Sequence, residues 1–186
     1  MRLFREDLAN LDWSYVWVDW TCLPQAPRSE AQQAYFQRKL EGIPMLIRNC
    51  GFEWRFSTFR PRAWILFEVA VFMLTQKSYT TTADLKPFIS HVMEMKGKGV
   101  HTVVSNHQYT CTEGSDLQLI TGWLELLLIL AKVVPDISKI RDILDFAERS
   151  GVGSYSNPDY GIEIDKKQGV LSYLGTTYKF NPMFGN

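Results

Sequence analysis

The sequence predicts an α/β fold: three layers with parallel strands in the first part, a helical middle and a small antiparallel β tail. Three observations predict it. "VWVDWTCLPQ", residues 16 to 25, is a run of β-branched and aromatic residues that stops at Pro24. It is apolar on both faces, as a central parallel strand is. Strand-like and helix-like segments then alternate along the chain. The last stretch, "GIEIDKKQGVLSYLGTTYKF", reads as short strands with turns at Asp165–Gly169 and Gly175–Thr176, a hairpin or meander.

The elements follow in order. Met1–Leu11 has helical spacing, with Leu3, Phe4, Leu8 and Leu11 on one face. Tyr15–Trp20 is the first strand, and Thr21–Ser29, with Pro24 and Pro27, is a loop. Ser29 or Glu30 opens a helix to about Glu41, Pro44 interrupts or restarts it, and Ile43–Cys50 continues apolar. Phe52–Phe56 is a second strand. Arg60–Leu74 is a helix with Pro61 in its first turn. Lys77–Ala83 is a polar loop, and Thr82 or Asp84 caps a helix to about Met95, ended by Gly97 and Gly99. Val100–Ser105 reads as a third strand and Ser105–Ser115 as a loop. Asp116–Val134 is the most apolar helix, and Ile137–Arg149 is another. This divides the chain into an α/β domain at 1–150 and an antiparallel appendix at 151–186 packed on it.

Bulk composition narrows the function classes. The 186 residues fit one domain, and 46% hydrophobic with 22% charged residues allows a packed core. The formal net charge is zero, so nothing draws in nucleic acid or an anionic membrane over long range. Cys22, Cys50 and Cys111 are too few and too scattered for a disulfide framework, which fits reduced thiols inside a cell, in the cytoplasm. Met1–Asp12 is charged throughout, unlike a signal peptide. Leu117–Val134 carries Glu125 and Lys132, and its uncharged run is short of the ~18 residues of a membrane span. His101, His107 and Cys111 match no metal-finger spacing, so no metal is expected.

Two carboxylates stand out. Glu68 lies in "RPRAWILFEVAVFML", apolar nearly all round, with Trp64 one turn earlier on the same face. An isolated carboxylate there costs several kcal/mol unless it is paired or opens to a cleft. Either Glu68 pairs with an arginine, from among Arg48, Arg60 and Arg62, or it lines a polar pocket. Glu125 poses the same problem in the second apolar helix, and Lys132, two turns away, is a poor partner.

A strand ending in an acid, a Pro-containing loop, a helix, a short strand and then a helix with Trp four residues before Glu resembles the TIR domain. The "VWVDWTCLPQ" strand and loop also resemble the related HET (heterokaryon incompatibility) domain. The TIR helix motif is Ser-x-Trp-Cys-x-x-Glu. Trp64 and Glu68 match it, while Arg62 stands for its Ser and Ile65 for its Cys. The resemblance covers about residues 1 to 75, and the strand that opens a TIR domain has no counterpart before the first helix.

The resemblance implies a TIR/flavodoxin-like parallel sheet and an intracellular signalling or defence role. Catalytic members cleave NAD at the nicotinamide–ribose bond with this glutamate, here Glu68. NAD would then be a substrate, and no cofactor is implied. Asp19 and Trp20 at the strand end, Arg28 at the end of the covering loop and Trp64 on the Glu68 face are the substrate-binding candidates, with Trp20 or Trp54 suited to stack on a ring. The preferred reading of Asp19 from the residues alone is a strand-end carboxylate that organises its own loop. Other members are adaptors that self-associate without chemistry, so a non-catalytic interaction module is the alternative. Without the opening strand, full activity is expected to require neighbouring copies.

Overall fold

The structure is a computed structural model that describes residues 23–40, 42–50, 59–76, 83–150 and 153–184. It falls into two compact units, residues 1–42 and 43–186. In the first, helix α1 (Glu30–Leu40) is described with the segment before it. A reciprocal cap starts α1: the Ser29 N–H donates to Gln32 Oε1 (2.9 Å), and the Gln32 N–H donates to Ser29 Oγ (3.3 Å). That satisfies amides the helix itself cannot reach.

The second unit holds α2 (Ile43–Asn49), α3 (Ala63–Thr75), α4 (Lys86–Lys98), α5 (Val100–Asn106), α6 (Gly114–Val133) and α7 (Ile137–Arg149). Four strands follow: β1 (Ser154–Asn157), β2 (Ile162–Asp165), β3 (Val170–Tyr173) and β4 (Thr176–Lys179). Helix α3 is its centre and packs against α2, α4, α6 and α7. Ala63 and Ala70, both fully buried, let neighbours approach closely, while Leu66, Phe67, Val69, Val71 and Met73 fill the spaces between. Ile120, Leu124, Leu126, Leu127 and Leu130 of α6 and Ile140, Ile143, Leu144 and Ala147 of α7 complete the core. Each large side chain buried this way contributes about 1.5–3 kcal/mol. At the start of α7, Asp136 accepts the Ser138 N–H (2.8 Å), a side-chain cap.

The sheet is antiparallel, in the order β1-β2-β3-β4. Ile162, Ile164, Leu171 and Tyr173 point inward, and the alternation of period two fixes that register. In the β2–β3 turn, Asp165 Oδ1 accepts the amides of Lys167 and Gln168. Gly169 sits there at φ +68° against the Phe180 carbonyl, where a Cβ would collide. The tail after β4 lies on α6: Gln118 donates to the Pro182 carbonyl (3.0 Å), and Asn181 and Met183 press on Gly122.

These observations correct the expected fold class. Among the described residues the protein is mostly helical, and its one sheet is the antiparallel C-terminal one, so the three-layer TIR/flavodoxin-like parallel sheet is not what the chain builds. Val100–Ser105, expected as a strand, is helix α5. Val100, Val103 and Val104 are spaced i, i+3, i+4, and all three are buried against the neighbouring helices. Burial at helical spacing outweighs the β preference of valine and threonine. Parallel pairing is limited there to one isolated bridge, Arg62 with Thr110, which pins the start of α3. The strands expected at Val16–Trp20 and Phe52–Phe56 lie outside the described residues. No helix among the described residues is long and apolar enough to cross a membrane.

Candidate functional site

Helix α3 brings Trp64 and Glu68 together one turn apart. Residues 66, 67, 69, 70, 71 and 73 are sealed in the core, yet Trp64, Glu68 and Phe72 are only half-buried. They form a partly open stripe along the helix, and Ile65 and Leu74 are half-buried as well. The Trp64 indole N–H donates to Asp116 Oδ2 (3.0 Å) in the first turn of α6, which fixes the ring plane. Phe67 meets the indole edge-on, with centroids 6.2 Å apart. Gln76, one turn past Phe72, donates to the Arg48 carbonyl (2.8 Å). The stripe thus offers an oriented aromatic face beside a carboxylate.

Of the other predicted site residues, Arg28 belongs to the 1–42 unit. Its Nε donates to the Pro24 carbonyl (2.7 Å), and its guanidinium lies 3.5 Å from the centre of the Phe36 ring. It lines a surface depression of about 480 Å³ with Ser29, Glu30 and Gln33. Asp19, Trp20 and Trp54 lie outside the described residues.

Two of the sequence puzzles have structural answers. Arg48, 1% exposed, bonds two carboxylates of α7, Asp145 and Glu148 (Nη2 to Glu148 Oε2, 2.7 Å). Burial pushes the Glu148 carboxyl up, and the Arg48 guanidinium beside it opposes that shift. Glu125 accepts the backbone N–H of Asn181 and lies 3.7 Å from His101 Nε2. Its partner is the C-terminal tail, which no helix-periodicity argument could supply.

A third cluster was missed at the sequence level. His91 and Glu94 are spaced i, i+3 on α4, and His107 caps the end of α5. The two imidazoles stack with centroids 3.6 Å apart at 22°. His107 Nε2 bonds Glu94 Oε2 (2.8 Å), and Lys98 donates to Glu94 Oε1 (3.0 Å). His91 Nδ1 bonds the hydroxyl of Tyr109 (2.8 Å), a residue 4% exposed whose phenol burial pushes far above its ordinary value. Phe59 stands edge-on to His91, and Phe88 packs against Tyr109. Burial first, and then the second imidazole, lower the His91 pKa against the pull of Glu94, which favours the neutral ring. The hydrogen bond to His107, with help from Lys98, holds the Glu94 carboxyl below the usual range. The signal in the sequence was H-x-x-E at helical spacing. His101 and Cys111, weighed with His107 for a metal, lie elsewhere: His101 beside Glu125, and Cys111 near Asp116 and Arg62.

Comparison of the chain with family models, with curated proteins and with solved structures finds no match in any of the three.

Proposed function

We propose that the chain cleaves NAD or a closely related nucleotide at the anomeric carbon of its ribose, with Glu68 as the acting carboxylate. The observation that carries the reading is the half-buried Trp64–Glu68–Phe72 stripe on a helix most of whose residues are buried. Breaking a glycosidic bond builds positive charge on the ribose ring. A carboxylate with little water around it stabilises that charge far better than an exposed one. Glu68 sits in such an environment. Trp64, held by Asp116, supplies a fixed aromatic wall against which a nicotinamide or adenine ring stacks. The Trp64-to-Glu68 spacing is also the part of the TIR resemblance that matches the family's helix motif. In this reading the nucleotide is a substrate drawn from the cytoplasm, and association between copies raises turnover.

Glu68→Gln tests it, because glutamine keeps the shape and removes the charge. Turnover of NAD is expected to fall by ~100-fold or more, since preorganised charge commonly supplies a few kcal/mol of transition-state stabilisation. Melting measured beside turnover separates loss of the carboxylate's chemistry from loss of its contacts. Equal turnover in variant and wild type, or no turnover by the wild type at any protein concentration, would sink the proposal.

A further inference from the structure

We infer that His91, Glu94 and His107 bind one divalent transition-metal ion of the zinc class, joining helix α4 to the end of α5. One ligand-capable atom from each of the three residues lies within 4.8 Å of the other two. Two imidazoles and one carboxylate are a donor set that zinc accepts when it keeps a fourth position open. All three side chains are half-buried, so that fourth position faces solvent and takes a water molecule. Around zinc, with bonds of ~2.1 Å, tetrahedral donors stand about 3.4 Å apart. Binding therefore draws the cluster inward by up to about 1.4 Å. The imidazole stack must also fan open to aim two lone pairs at one ion, a side-chain rotation that leaves both helices in place.

The surroundings are those of a metal ligand set rather than of a chance hydrogen bond. Metal-binding histidines normally hold their second ring nitrogen on a fixed partner. His91 does this through Nδ1 on the buried Tyr109 hydroxyl, with Phe59 and Phe88 walling the pair. The i, i+3 spacing of His91 and Glu94 places both donors on one face of α4. His107 reaches that face because α5 packs back against α4 after Gly99. The arrangement lies within the 43–186 unit and does not depend on Glu68 or on any nucleotide.

The test uses the untagged full chain, freed of metal with a chelator, and Zn²⁺ as the probe. Titration against a chromophoric zinc chelator should show one equivalent bound. His91→Ala and His107→Ala should each weaken binding by ~30-fold or more, and Glu94→Gln and Tyr109→Phe by ~10-fold. His101→Ala, a neighbouring exposed histidine outside the cluster, should bind as the wild type does. Melting of each metal-free variant checks its fold, and His91→Gln or His107→Gln substitutes for the alanine variant at the same position if that one does not fold. Excess Mg²⁺ should not displace the zinc, because nitrogen donors disfavour it. Absence of a one-equivalent site would overturn the inference. So would wild-type affinity in both histidine variants, or displacement by Mg²⁺ at equal concentration.

Discussion

Helices α3 and α6 each carry a glutamate inside an apolar stretch, and the protein treats the two differently. Glu125 on α6 is claimed by the fold: the tail crosses over it, gives it the Asn181 amide and seats Asn181 and Met183 on the neighbouring Gly122. Glu68 on α3 lies instead in a stripe that stays partly open, between an anchored tryptophan and a half-buried phenylalanine. One carboxylate is an architectural acceptor, and the other has the setting of a working group. A polar residue in an apolar helix therefore does not identify a site. What separates the two cases is where each side chain stands: Glu125 under the C-terminal tail, Glu68 on a half-buried stripe beside Trp64.

The strongest test of that contrast is the fully enclosed case. Arg48→Met should cost about 3–5 kcal/mol, because it leaves Glu148 buried without its cation while Asp145 also loses its partner. Chemical denaturation with an unchanged m-value would report it. A loss under about 1 kcal/mol would mean that water reaches the pair and that burial is a poor guide here.

The tail on α6 is next. A Cβ at Gly122 would stand 2.5 Å from the Asn181 carbonyl oxygen and 2.7 Å from Met183 Cγ. Gly122→Ala should therefore cost about 1–3 kcal/mol by pushing the tail away, despite alanine's better helix propensity. Glu125→Ala should cost about 1–2 kcal/mol, because the Asn181 amide loses its acceptor. The two substitutions disturb one contact, so the double variant should cost less than their sum. Strict additivity would show that Glu125 does not hold the tail, and the contrast with Glu68 would lose its basis.

The sequence disclosed these regions unequally, for physical reasons. The C-terminal turns were legible because "DKKQG" and Gly175 break a period-two pattern, although the second turn is Leu174–Gly175 and Thr176, expected in it, opens β4. Helix α3 was legible from its apolar run, but it starts at Ala63 with Arg62 as N-cap, so Pro61 lies just before it and not in its first turn. Helix α5 was misread because valine and threonine favour strands, although the spacing of Val100, Val103 and Val104 carried the helical signal. The partner of Glu125 lies 56 residues further on. His107 is 16 residues past His91 and meets it only once α4 and α5 fold back on each other. Pairings of that kind are set by tertiary packing, which periodicity does not encode. The parallel-sheet expectation drew on segments outside the described residues and extended them over a region that is helical.

The smallest expected effect is a rate at the Trp64 end of the stripe. Cys111 is half-buried, and burial first, then the nearby Asp116 charge, push its thiol up to about 11, with Arg62 pulling the other way. The thiolate is the reacting species. A raised pKa therefore means slow alkylation near pH 7, with a rate that climbs by ~10-fold per pH unit until the pH nears the pKa. Mass spectrometry that resolves Cys111 from the exposed Cys50 measures this directly. Asp116→Asn keeps an oxygen for the Trp64 indole but removes the charge, so Cys111 should react several-fold faster at fixed pH while the fold is unchanged. An unchanged rate would mean that Asp116 exerts no field on this end of the helix. A faster rate would place a fixed negative charge beside Trp64, one turn from Glu68. Two carboxylates on that stripe would then favour a ribose that turns cationic as its bond breaks, and would disfavour an anionic group docked on the same face.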